Sequence, residues 1–232
     1  MSETASYALT SSYVNGANYT TPTFDQTGST WTYKGGSVGV FIYNTKTIKN
    51  EPQQVIRRNW RFNGDSMSLW LHDIPATPYS AVIGFQPSSL NMGVNYTKCG
   101  LVLGDSSSYR LIVHALQYNS TWQIATSKYN STASYDAGYG TAQNITNGAS
   151  STYCPPIFLA ITDDGTNLTF AYSVDGGNFW SGSYIVSRTD WLTNNPNQIG
   201  LVVDSPMTTP VPAWYVISHY QEGAPLSFVN LR

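Results

Sequence analysis

The chain has 232 residues, 41% hydrophobic and 14% aromatic but only 10% charged, a composition that excludes a disordered chain. Thirteen acidic against 11 basic residues give a net charge of −2, so there is no basic field for a phosphate backbone or an anionic membrane surface. No stretch approaches the ~20 apolar residues of a membrane-spanning helix, and neither nucleic acid nor membrane insertion is expected.

The first fifty residues stand apart. Ala5-Ser6-Tyr7-Ala8-Leu9-Thr10 is followed by Ser11-Ser12-Tyr13-Val14-Asn15-Gly16, a loose repeat rich in small polar residues. Alone, such a segment buries too little apolar surface to order itself. Residues 1–50 therefore read as an assembly arm with leading strands. Tyr7, Leu9, Tyr13 and Tyr19 are its contact side chains, and it would lie on its own domain or on a neighbouring subunit. Met1-Ser2-Glu3-Thr4 opens without the basic and apolar regions of a standard signal peptide.

Residues 51–232 read as one β domain. Period-two alternation recurs in Ile56–Phe62, Met67–Leu71, Tyr109–Leu116, Ile157–Ile161, Leu168–Val174 and Trp214–His219. Helical spacing is absent over any dozen residues. Turn chemistry separates the runs: Asn63-Gly64-Asp65, Asp163-Asp164-Gly165 and Asp175-Gly176-Gly177. Many short strands at this spacing predict an all-β jelly-roll sandwich.

Chemistry-bearing residues are sparse. The glutamates are Glu3, Glu51 and Glu222, none paired with another acid at a spacing suited to glycoside hydrolysis. Asp163 and Asp164 are adjacent, and on a strand adjacent side chains face opposite ways. No Gly-x-Ser-x-Gly nucleophile turn occurs. A non-enzymatic protein is expected. His72, His114 and His219 read as structural, His114 alternating with core positions. Cys99 and Cys154 read as buried thiols or, alternatively, as one disulfide. Asp163, Asp164, Asp175 and Asp204 lie in predicted loops. If those loops converge they supply the oxygen ligands of a structural calcium; otherwise they are turn formers and no cofactor is needed.

Sugar recognition needs apolar faces for rings and polar edges for hydroxyls. Trp70, His72, Tyr79, Tyr118, Trp122 and Trp191 flank predicted loops and are the candidate sugar contacts, with Trp31, Tyr33 and Tyr135 beside them. Trp70 and His72 alternate with Leu69 and Leu71, so that face is expected on the solvent or inter-subunit side. Packing against the arm or a neighbour is the competing role for each aromatic.

Three stretches carry a resemblance. Trp60-Arg61-Phe62-Asn63-Gly64-Asp65, the hairpin of Pro156–Trp180 with its Ser173-Val174-Asp175-Gly176-Gly177 turn, and Gln198-Ile199-Gly200-Leu201-Val202-Val203 resemble the concanavalin A-like lectin/glucanase superfamily. The likeness spans about Val55 to Glu222 and is nearest to the accessory sandwiches appended to glycoside hydrolases. It implies a concanavalin A-like jelly roll, with no function fixed by the fold. Glucanases of that superfamily carry a Glu-x-Asp-x-(x)-Glu strand, which this chain lacks. Thr4–Gly16 is similar to Ser-Tyr-Ala-Leu-Thr-type repeats in structural proteins of tailed bacteriophages. That second resemblance implies a virion protein, such as a head-decoration, head-fibre or tail-associated protein. It would be surrounded by other virion proteins and copies of itself, with the sandwich presented to host-surface glycans. The alternative is a non-catalytic carbohydrate-binding module of a glycan-degrading system; a glucanase-like hydrolase is third.

Overall fold

The computed structural model describes residues 32–34, 40–46, 52–58, 67–87, 97–145, 154–204 and 213–226. The strands begin with β1 (Thr32–Lys34), β2 (Val40–Lys46), β3 (Pro52–Arg58), β4 (Ser68–Asp73), β5 (Tyr79–Pro87), β6 (Lys98–Gly104) and β7 (Leu111–Asn119). Then follow β8 (Thr121–Ser131), β9 (Ser134–Gly138), β10 (Gln143–Asn144) and β11 (Ile157–Asp163). β12 (Asn167–Ser173), β13 (Ser181–Ser187), β14 (Gln198–Asp204) and β15 (Ala213–Gly223) complete the order. One eight-stranded sheet runs β1-β4-β14-β6-β7-β8-β10, with β9 also on β8. The other, of seven strands, runs β13-β12-β11-β5-β15-β3-β2. This is an antiparallel two-sheet sandwich of the concanavalin A-like type.

The β11–β12 hairpin forms where turn chemistry places it. Asp164 Oδ1 accepts the N–H groups of Thr166 at 2.7 Å and Asn167 at 2.6 Å, and Gly165 adopts the φ of 91° that the turn needs. The runs before and after Asn63-Gly64-Asp65 do not form a hairpin. β3 pairs with β2 and β15, while β4 pairs with β1 and β14, so the chain crosses between sheets there. In β15 the register shifts between Ile217 and His219. This bulge resets the alternation, so that Ile217 and Tyr220, not His219, face the core.

The main core lies between the sheets. Tyr79, Ala81, Ile83 and Phe85 of β5 meet Leu159 and Ile161 of β11 and Phe170 of β12 from one side. Leu101 and Leu103 of β6, Ile112 and Leu116 of β7, and Leu201 of β14 face them from the other. His114 is fully buried here. Its Nε2 donates to the Ala171 carbonyl at 2.9 Å, which leaves Nδ1 to accept the Thr126 hydroxyl at 2.9 Å. It is the satisfied core histidine that the alternation predicts.

A second apolar cluster occupies the opposite face of the eight-stranded sheet. Met67, Leu69 and Leu71 of its β4 side meet Val202, Val102, Leu111, Val113, Ala115 and Tyr129, none more than 4% exposed. Both faces of this sheet are therefore apolar and buried.

Candidate functional site

The expected sugar contacts separate into core and rim. Trp70, Tyr79, Tyr118 and Trp122 are 4%, 1%, 7% and 1% exposed and belong to the inter-sheet core. Tyr118 and Trp122 pack edge-on at 5.3 Å. The face bearing Trp70 and His72 is the inner face of its sheet, contrary to the solvent-side expectation, because Leu69 and Leu71 belong to the second apolar layer. Trp191 is half-buried. The Arg110 guanidinium sits 4.6 Å from its ring centroid and the Lys128 ammonium 5.3 Å away, so its ring is engaged. Tyr7, Leu9, Tyr13 and Tyr19 lie outside the described residues.

The four aspartates proposed for calcium do not converge. Asp163 and Asp164 close the β11–β12 turn, whereas Asp175 follows the far end of β12 and Asp204 ends β14 in the other sheet. Arg188 Nε donates to both oxygens of Asp163, at 3.0 and 2.8 Å, and Oδ1 also accepts the Gly165 N–H. Asp175 Oδ1 accepts Ser173 Oγ–H at 2.6 Å and the Phe179 N–H at 3.0 Å. Asp204 is 1% exposed, opposite Lys98 in register. Among the described residues no group of three or more His, Cys, Asp or Glu is placed to hold a metal. Cys99 and Cys154 are buried free thiols, as the first of the two cysteine readings has it.

A polar cluster closes one end of the space between the sheets. His72 Nε2 of β4 lies 2.7 Å from Glu222 Oε1 of β15, and Nδ1 donates to the Asp73 carbonyl at 2.7 Å. The Tyr220 hydroxyl donates to the same Glu222 oxygen. Burial works against charge on the ring, but the Glu222 hydrogen bond and charge outweigh it and hold His72 above its ordinary value. The neighbouring Tyr79 hydroxyl is buried without a hydrogen-bond partner among the described residues. Burial first, then the Asp163 charge, raises its pKa, so it stays neutral.

The outer face of the eight-stranded sheet offers a different arrangement, built by the β6–β7 connection. Asp105 follows β6, is 1% exposed and acts as the hub of its loop. Its Oδ1 accepts the Ser107 N–H at 2.9 Å and hydroxyl at 2.6 Å; its Oδ2 accepts the Ser108 hydroxyl at 2.7 Å and an Asn194 amide N–H at 3.3 Å. Burial alone would raise the pKa of this carboxyl, but the hydroxyl and backbone hydrogen bonds prevail and lower it to about 2, so it is ionised. Asn197 holds the next residue through both its amide atoms: Oδ1 accepts the Ser106 N–H at 3.0 Å and Nδ2 donates to Ser106 Oγ at 2.8 Å. Asp105 N–H to Arg110 O, at 3.0 Å, closes the loop.

The product of that scaffold is Tyr109. Its φ is +61°, in the left-handed region that a bulky residue rarely occupies, and it is 70% exposed. It borders a partly enclosed cavity of about 120 Å³ whose apolar lining, Leu69, Leu71 and Leu111, is itself buried, at no more than 4% exposure. Ser106, Ser131, Thr132 and Gln198 supply hydroxyl and amide edges. An exposed aromatic beside hydroxyl and amide groups can cover a sugar ring. Sequence reading missed Tyr109 as a site residue. The signal was the Asp105-Ser106-Ser107-Ser108 turn chemistry immediately before it.

No protein-family model matches the chain, and no curated protein is significantly similar to it. Solved structures do match. A functionally unknown protein from Saccharomyces cerevisiae aligns over 85% of this chain and 98% of its own, at 14% identity and a TM-score of 0.57. A GH16 protein of the Bacteroides ovatus mixed linkage glucan PUL, solved with a G4G4G3G product, aligns over 83% of this chain and 94% of its own, at 10% identity and a TM-score of 0.53. The carbohydrate binding module CBM66 from Bacillus subtilis aligns over 83% of this chain and 95% of its own, at 12% identity and a TM-score of 0.50. At such identities the likeness establishes the concanavalin A-like sandwich and nothing further.

Proposed function

We propose that this chain is a non-catalytic carbohydrate-binding module that takes its ligand against the exposed Tyr109 ring on the β6–β7 connection. Tyr109 carries the reading: a tyrosine held at φ +61° and 70% exposed beside a lined cavity is strained backbone spent on presenting a ring. The shared fold with a carbohydrate binding module agrees with it. Glu222 faces between the sheets against His72 and Tyr220 and Asp163 is held by Arg188, while Asp105, the carboxylate that does line the cavity, has its oxygens bonded to Ser107, Ser108 and Asn194. Attachment of such a module to a phage particle, the setting that residues 1–50 suggest, uses the same glycan contact.

Affinity electrophoresis of the full chain through a panel of polysaccharides tests the reading. The expected result is retardation on at least one of them without release of reducing ends. Tyr109→Ala is expected to abolish the retardation with the melting temperature unchanged. No retardation on any polysaccharide, or retardation untouched in Tyr109→Ala, overturns it.

A further inference from the structure

Resting on that reading, we infer that Tyr135 is a second stacking position beside Tyr109, and that the ligand is an extended glycan chain whose separate rings cover the two tyrosines.

Both rings are open to solvent. Tyr109 is 70% exposed and Tyr135, on β9, is 58% exposed. They stand on neighbouring elements. Leu111 of β7 pairs with Tyr129 of β8, and Tyr129 pairs in turn with Tyr135. The Tyr135 ring meets the Tyr129 ring edge-on at 5.5 Å, and Tyr129 belongs with Leu111 to the second apolar layer. Tyr109 borders that same layer through the cavity it shares with Leu69, Leu71 and Leu111. Both tyrosines therefore lie on one side of the eight-stranded sheet. An edge-on contact occupies at most one face of Tyr135, which leaves a flat face for a sugar ring.

The hairpin between them is pinned. The Met67 N–H donates to the Thr132 carbonyl at its tip, at 2.9 Å. Asn130 Nδ2 donates to Asp136 Oδ1 at 3.2 Å, tying β9 to β8. The Tyr129 ring that supports Tyr135 is held in turn by Lys98, whose Nζ donates to its hydroxyl at 2.5 Å. A tyrosine has few rotatable bonds, so a ring braced in this way loses little entropy when a ligand covers it.

Spacing sets the ligand class. β7 and β9 are two strand spacings apart, about 10 Å, and Tyr109 enters β7 two residues before Leu111. Ring stacking acts over centroid distances of about 4.5–7 Å, so tyrosines rooted this far apart on one side of a sheet stack on different rings. Ser131 and Ser134, paired across the hairpin, supply hydroxyls along the way. Exposure this high means that no wall encloses either ring, the arrangement that admits internal rings of a polymer as well as its end.

Affinity electrophoresis of the full chain in gels carrying barley mixed-linkage glucan, xylan, galactan or mannan tests the inference. On whichever polysaccharide retards the parent, Tyr135→Ala is expected to weaken binding at least about fivefold with the melting temperature unchanged. Tyr135→Phe is expected to bind as the parent does. Tyr135→Leu keeps an apolar contact for Tyr129 without a flat face, and is expected to weaken binding even if alanine loosens the hairpin. Oligosaccharides of one to six rings, cut from the retarding polysaccharide, are expected to compete better with each added ring, and to gain less from length against Tyr135→Ala. Parent-like retardation of Tyr135→Ala and Tyr135→Leu, or a single ring competing as well as six, overturns this inference and leaves the Tyr109 reading standing if Tyr109→Ala still abolishes retardation. A dimer seen by sedimentation that Tyr135→Ala separates, with retardation unchanged, assigns the ring to a protein contact and overturns it too. A parent chain retarded by no polysaccharide sinks both.

Discussion

His72 and Glu222 meet at 2.7 Å across the gap between the two sheets, one on β4 and the other on β15. Each side chain is largely enclosed, at 15% and 20% exposure, so this pair is less screened than a surface bridge. The pKa of His72 is raised in the folded chain, so the folded state holds its proton above the pH at which the unfolded state releases it. The pair's contribution is therefore fully present below the ordinary histidine value near 6.5 and is lost as pH rises through the folded value. Thermal melts from pH 6 to pH 9 are expected to show a falling melting temperature in the parent chain. The fall is expected to flatten in His72→Gln; identical slopes in the two proteins would count against the pair.

His114 acts in the opposite direction and in a different window. Complete burial lowers its pKa to about 4, the Ala171 carbonyl offsetting only part of that. The unfolded state binds a proton first as pH falls below about 6.5, so stability is lost from there down to about pH 4. The difference corresponds to about 3 kcal/mol at its full extent. Urea midpoints at pH 7, 5.5 and 4 are expected to fall, and to fall less in His114→Gln. His219, lowered by burial as well, contributes to the same slope.

Tyr109→Gly separates binding from folding. Glycine adopts φ +61° without strain, which offsets its greater loss of chain entropy. Denaturant midpoints are expected to rise or hold, within about 1 kcal/mol, while polysaccharide retardation disappears. A loss of stability well beyond that figure would show that the tyrosine ring supports the fold.

Arg188→Met leaves the Asp163 carboxylate, which is fully buried, without its ion-pair partner. Breaking a buried pair from one side costs about 3–5 kcal/mol. The double change to Arg188→Met with Asp163→Leu is expected to recover part of that, measured by urea unfolding. Added calcium is expected to leave the parent midpoint unchanged, since the guanidinium and the Gly165 N–H already satisfy the carboxylate.

The β11–β12 hairpin was legible because alternation and turn chemistry agree there: Asp164 and Gly165 make the turn that their types favour. His114 was legible for the same reason. Trp70 and His72 were misplaced because β4 is apolar on both faces, and alternation says which residues share a face but not which face is covered. The separation of Asp163 from Asp175 was within reach. Seven strand residues between the two turns span roughly 20 Å, too far for one ion. For Tyr109 the Asp105–Ser108 turn chemistry beside it was in the sequence, but the Asn194 and Asn197 hydrogen bonds that brace Asp105 and Ser106 come from almost ninety positions away.

That distance has an evolutionary consequence. Asp105 and Ser106 draw their partners from their own connection and from the 194–197 segment, with no group from the main apolar core. Two neighbouring surface connections thus brace each other outside the sheets. Exchange of a few residues in either one alters that brace while the sheets beneath continue to fold as before.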